Sequence, residues 1–62
     1  MTEKIDIVTF LGEAGNLRAS VYFDEQYEKP FYVEFNICDE YDATLYYATE
    51  EEAVEAAQEF AL

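Results

Sequence analysis

Histidine is absent from the 62 residues, and Lys and Arg together number three against 15 Asp and Glu, for a formal charge of −12. Without His the commonest general base is missing, and neither Cys38 nor Ser20 has an imidazole to activate it as a nucleophile. A chain this short also leaves little room for a substrate pocket of the usual ~300 Å³ or more. No catalytic residue is assigned, and a non-enzymatic role is expected. The shortage of cations excludes a second class. Proteins that grip nucleic acid neutralise phosphates with clustered Lys and Arg, whereas only Lys4, Arg18 and Lys29 are present here. Direct nucleic-acid binding is therefore disfavoured, and so is attachment to an anionic membrane surface.

Other scarcities narrow the setting. No apolar run approaches the ~20 residues of a membrane span, and Met1-Thr2-Glu3-Lys4-Ile5-Asp6 has neither the charged start nor the apolar stretch of a secretory signal. A single cysteine, Cys38, cannot form an internal disulfide, so nothing points to an oxidising compartment and a cytoplasmic location is expected. Asp39, Glu40 and Asp42 crowd one short stretch, but it lacks the central Gly and twelfth-position Glu of a calcium loop. It is read as a solvated acidic turn, and no metal or other cofactor is expected.

What is present is apolar and aromatic. Hydrophobic residues make up 52% of the chain and aromatics 18%, which argues against a disordered acidic tail. Residues 1–62 are expected to form a single domain, marginally stable because folding buries only about 60% of the surface a chain of this size exposes. Residues 3–11 hold Ile5, Ile7, Val8, Phe10 and Leu11, strand-favouring types whose broken alternation calls for a bulge or a strand apolar on both faces. Gly12 and Gly15 then supply a hairpin connection. A strand over 17–24 places Leu17, Ala19, Val21 and Phe23 on one face, and one over 31–38 places Phe31, Val33, Phe35 and Ile37 inward with Cys38 outward. Asp39 to Asp42 is read as a turn before a shorter strand over 43–48, with Leu45 and Tyr47 on one side.

The period then changes. Thr49 followed by Glu50, Glu51 and Glu52 is a capping box, with the acids suited to the positive end of a helix dipole. A helix over 50–61 presents Ala53, Ala56, Ala57 and Phe60 as its apolar stripe, bordered by Val54 and Ala61. The expected fold is α+β: a three- to four-stranded antiparallel meander with one C-terminal helix packed on one face. The other face is left to solvent or to a partner.

Charge and aromatics are both unevenly placed. Residues 1–29 carry six acids and three bases, and residues 30–62 carry nine acids and no base. Glu51, Glu55 and Glu59 recur at i, i+4, ~6 Å apart along a helix, where like charges cost a few tenths of a kcal/mol per pair. Such charge keeps a small protein soluble; it also imitates the phosphates of nucleic acid, spaced ~3.4 Å per step along each strand. Tyr22, Tyr32 and Tyr46 share the face away from the core, with Phe10 joining them if the first strand's register allows. Cross-strand Tyr packing is common on exposed sheets, and Tyr is also enriched at contact patches. Tyr27 and Tyr41 would extend such a patch.

In size, charge and sheet-plus-helix layout the chain resembles the small acidic inhibitors that bacteriophages and mobile elements direct against host nucleic-acid machinery: anti-CRISPR proteins, anti-restriction proteins and inhibitors of DNA repair. The stretch Leu45-Tyr46-Tyr47-Ala48-Thr49-Glu50-Glu51-Glu52-Ala53 is also similar to the strand-to-helix junction of small DNA-binding sheet domains, which are basic where this one is acidic. The resemblance implies an inhibitor that occupies the basic nucleic-acid-binding site of a host protein, in the host cytoplasm. The partner-binding residues expected are Glu34, Asp39, Glu40, Asp42, Glu51, Glu55 and Glu59, with Tyr32 and Tyr46 as anchors. The rival expectation is an adaptor or homodimer joined through the Tyr-rich sheet face.

Overall fold

A computed structural model describes residues Lys4 to Ala61. The expected architecture is the one found: β1 (Ile5–Leu11), β2 (Leu17–Phe23), β3 (Phe31–Ile37) and β4 (Glu40–Tyr47) form one antiparallel sheet in the order β1-β2-β3-β4, followed by helix α1 (Glu50–Ala61). Every neighbour in the sheet is also a neighbour in sequence, so the chain climbs by hairpins alone.

β2 and β3 pair without irregularity from Leu17↔Ile37 to Phe23↔Phe31, as their clean alternation requires. β1 carries a bulge, one of the two outcomes its broken alternation allows. Asp6 pairs with Tyr22 and Val8 with Val21, which leaves Ile7 as the extra residue. That insertion shifts parity, so Phe10 pairs with Ala19 and packs on the core side. It does not join the tyrosines.

The β3–β4 connection departs from the expected four-residue acidic turn. Only Cys38 and Asp39 turn, at φ of 53° and 65°, while Glu40, Tyr41 and Asp42 already belong to β4. Two successive residues with positive φ match the twist of the flanking strands. The usual Gly is absent, which is why the sequence gives no sign of so tight a turn. Cys38 is accordingly an exposed turn residue and does not extend β3. Its N–H donates to the Asn16 carbonyl at 2.7 Å, tying this turn to the one between β1 and β2. A second bulge falls between Tyr41 and Ala43, leaving Asp42 as the extra residue of β4.

The capping box forms. The Thr49 hydroxyl accepts from Glu52 N–H at 3.2 Å and donates to the Glu52 carboxylate at 3.0 Å. The buried stripe of α1 runs through Ala53, Ala57 and Ala61, with Ala56 turned to one side of it. These small side chains close a core with Ala19, Val21, Val33 and Phe35, and Phe60 plugs its end at 4.7 Å from Phe35. Val21 and Val33 are the largest side chains fully buried, each worth roughly 1.5–3 kcal/mol. The helix lies chiefly over β2 and β3 and touches β4 least.

Candidate functional site

On the face away from the helix the register lines up Tyr22, Tyr32 and Tyr46 across β2, β3 and β4, with neighbouring ring centroids 5.3 and 5.5 Å apart. A fourth ring comes from the β2–β3 loop. Buried Asp24 organises this loop: its carboxylate accepts from the Gln26 N–H and the Gln26 side-chain amide, and its carbonyl accepts from the Tyr27 N–H. Asp24 N–H donates to the Pro30 carbonyl at 2.8 Å, closing the loop base. Tyr27 is thereby folded back onto the sheet, 5.9 Å from Tyr32 and 5.2 Å from Tyr46. The Lys4 ammonium sits 4.2 Å from the centre of the Tyr22 ring, within cation–π range.

Burial has a chemical consequence at Tyr32, which is only 7% exposed. Loss of solvent, followed by the negative fields of Glu34 and Asp24, pushes its phenol up to about 12. The phenol therefore keeps its proton into the alkaline range where an exposed tyrosine ionises, and the ring is occupied by internal packing. Of the two expected anchors, Tyr46 stays accessible and Tyr32 is covered. Charge on this face is net negative: Asp6, Asp24 and Glu34 are only partly offset by Lys4 and Arg18, and Arg18 itself lies 3.7 Å from Asp39 in an exposed ion pair.

The opposite surface is different. Glu50, Glu51 and Glu52 occupy the first turn of α1, Glu55 and Glu59 follow, and the last turn has no basic residue. Because the helix is displaced toward β2 and β3, Leu45 points to the helix layer yet remains 52% exposed. Between β4 and α1 runs an open groove of about 460 Å³, floored by Phe35, Ala43, Leu45, Ala56 and Phe60 and rimmed by Asp42 and Glu59. Glu52 and Glu55 flank its other end, beside Tyr47. Burial, then Glu52 and Glu59, raises the Tyr47 phenol above its ordinary 10.0.

The expected partner-binding residues thus divide between two layers. Tyr32, Glu34 and Tyr46 lie on the tyrosine face, and Asp42, Glu51, Glu55 and Glu59 on the helix side. Asp39 and Glu40 sit at the tip of the β3–β4 hairpin between them. The sheet keeps the two groups from acting as one patch. Sequence reasoning left out the groove altogether, since Leu45 and Ala56 read as ordinary core. Among the described residues no three Cys, Asp or Glu side chains converge as a metal site, and no helix is long and apolar enough to cross a membrane.

Neither a protein-family model nor a curated protein nor a solved structure matches the chain.

Proposed function

We propose that this protein is a non-enzymatic inhibitor whose anionic helix side occupies a cation-lined, nucleic-acid-binding site of another protein, as anti-CRISPR and anti-restriction proteins do. The observation that carries the reading is the row Glu51, Glu55 and Glu59 on α1, with Asp42 beside it and no Lys or Arg anywhere after Lys29. Like charges at this spacing work against the helix. Glu59 also stands near the negative end of the helix dipole, where a cation would be favoured. A surface that keeps such charges uncompensated is suited to a partner that supplies the cations. Opposite-charge steering makes that encounter fast and salt-sensitive.

The test is displacement. The partner is captured from host lysate at low salt, loaded with labelled nucleic acid, and challenged with the protein. Displacement that weakens steeply with salt, and that is lost when Glu51→Lys, Glu55→Lys and Glu59→Lys are combined in a folded variant, supports the reading. Undiminished displacement by that variant overturns it.

A second reading is favoured by the tyrosine face, where Tyr27, Tyr41, Tyr46 and Leu11 are all exposed and Lys4 and Arg18 partly offset the acids. An adaptor or homodimer seam there would be nearly insensitive to salt, and would be lost on replacing Tyr22 and Tyr46 by Ser with the covered Tyr32 left in place.

A further inference from the structure

β4 is one of the two edges of the sheet, and the features that blunt an edge, the charges of Glu40 and Asp42 and a bulge, are confined to its first half. It contains no Lys or Pro, and its bulge falls at Asp42, leaving Ala43 to Tyr47 regular. The other edge, β1, is broken near its middle by the bulge at Ile7. The direction of the free hydrogen-bonding groups follows from the ladder. Cys38 N–H donates to Asn16 and Asp24 N–H to the Pro30 carbonyl, so even-numbered residues of β3 bond toward β2 and odd-numbered ones toward β4. Ala43, Leu45 and Tyr47 face those odd residues across the β3–β4 pairing. The N–H and C=O groups of Thr44 and Tyr46 therefore point outward, unpaired, at the free edge.

We infer that β4 accepts an added strand from a partner: an extended segment of the pattern basic-x-aliphatic-x-basic. A strand laid about 4.8 Å beyond β4 turns alternate side chains toward the groove against α1. Opposite Leu45 such a side chain meets the apolar floor with Ala56, which suits an aliphatic group. Two residues to either side, its same-face neighbours reach Asp42 and Glu59 at one end and Glu52 and Glu55 at the other. Those carboxylates specify Lys or Arg. The same charges reject a second copy of this chain, since pairing β4 with β4 would bring two acidic rims together without a cation. The inference takes from the proposed function only the cationic nature of the partner.

The probe is a synthetic peptide with a Lys-Thr-Leu-Thr-Lys core, compared with versions carrying Glu for Lys or Ser for Leu. Amide hydrogen exchange is followed on the whole protein. The Lys-flanked peptide is expected to bind at least tenfold more tightly than either control and to slow exchange at Thr44 and Tyr46. Thr44→Pro removes an outward donor without breaking the β3 ladder, so it should keep the fold and lose at least tenfold in binding. Unchanged exchange at Thr44 and Tyr46 in the complex overturns the inference, as does equal binding of the Glu-flanked peptide. So does a concentration-dependent dimer that protects the same two amides, because a second copy is then the occupant. If peptide binding fails while nucleic-acid displacement persists, strand addition falls and mimicry stands. If the peptide binds as expected and displacement is indifferent to the helix charges, mimicry falls and strand addition stands.

Discussion

The Tyr27 ring stands edge-on to that of Tyr32, 84° between planes and 5.9 Å between centroids, so a loop residue forms the lid over the most deeply set ring of the tyrosine face. The lid depends on Asp24, whose buried carboxylate holds the loop through Gln26. Burial beneath it makes Tyr32 a reporter of the folded state.

Alkaline pH should unfold the protein through this ring. The Tyr32 phenol ionises at 10.0 in the unfolded chain and at about 12 in the folded one, so between these values the folded state holds a proton that the unfolded state has released. Stability present below pH 10 is lost as pH rises toward 12. Denaturant midpoints and phenolate absorbance measured across this range should fall and rise together. Tyr27→Ala should bring the Tyr32 ionisation back toward 10 and cost roughly 1–2 kcal/mol, since aromatic pairs add ~0.5–1.5 kcal/mol each beyond their area. Once Tyr32→Phe has distinguished the Tyr32 signal from that of the also raised Tyr47, a Tyr32 ionisation indifferent to Tyr27→Ala would contradict the lid.

Gly12 should resist even alanine. A Cβ there would lie 3.0 Å from the Ala61 carbonyl oxygen and 3.2 Å from the Leu17 Cβ, wedging the β1–β2 turn against the end of α1. Reduced unfolded-state entropy would favour Ala by ~0.4–1 kcal/mol, but overpacking against backbone costs ~1–3 kcal/mol. The net expectation is destabilisation, read from the denaturant midpoint of Gly12→Ala. Gly15, at φ 78° with nothing near it, is held to glycine by backbone conformation alone.

Cys38→Asn should stabilise the β3–β4 hairpin. Cys38 pays a left-handed cost at φ 53°, roughly 1–2 kcal/mol for an ordinary residue, and Asn tolerates that region better. A gain of about 0.5–1 kcal/mol is expected by chemical denaturation. The same change removes the exposed thiol, so any disulfide-linked dimer under oxidising conditions should vanish on a non-reducing gel.

Glu55→Lys should separate stability from binding. It replaces three like-charge pairs, with Glu51, Glu52 and Glu59, by three opposite ones, for a gain of about 1–2 kcal/mol in helix stability. If the anionic row exists for a cationic partner, the more stable variant binds that partner more weakly. Parallel melting curves and displacement titrations decide it: a variant that is stabilised and displaces nucleic acid as well as the parent would show that the row serves solubility alone.

Much of the fold is legible in the sequence. Leu17 to Phe23 and Phe31 to Ile37 alternate without exception and emerge as paired strands within one residue of expectation. Thr49 to Glu52 marks the helix start because a cap is a local hydrogen-bonding solution. Phe10 was ambiguous for a physical reason: one inserted residue at Ile7 exchanges the two faces, and only pairing with β2 reveals where the insertion falls. The start of β4 was hidden because Cys38 and Asp39 make a turn that usually announces itself by glycine.

By itself the sequence determined the meander, its C-terminal helix and the excess of acids beyond Lys29, since strand and helix periods are properties of neighbouring residues and charge is a property of composition. Tertiary packing alone decided that Tyr27 would close over Tyr32 and that α1 would settle on β2 and β3. The second choice left β4 with an open edge and a groove. Small Ala53, Ala57 and Ala61 seat the helix where the sheet's core side chains let it approach, and that fit depends on side chains distant in the chain meeting one another.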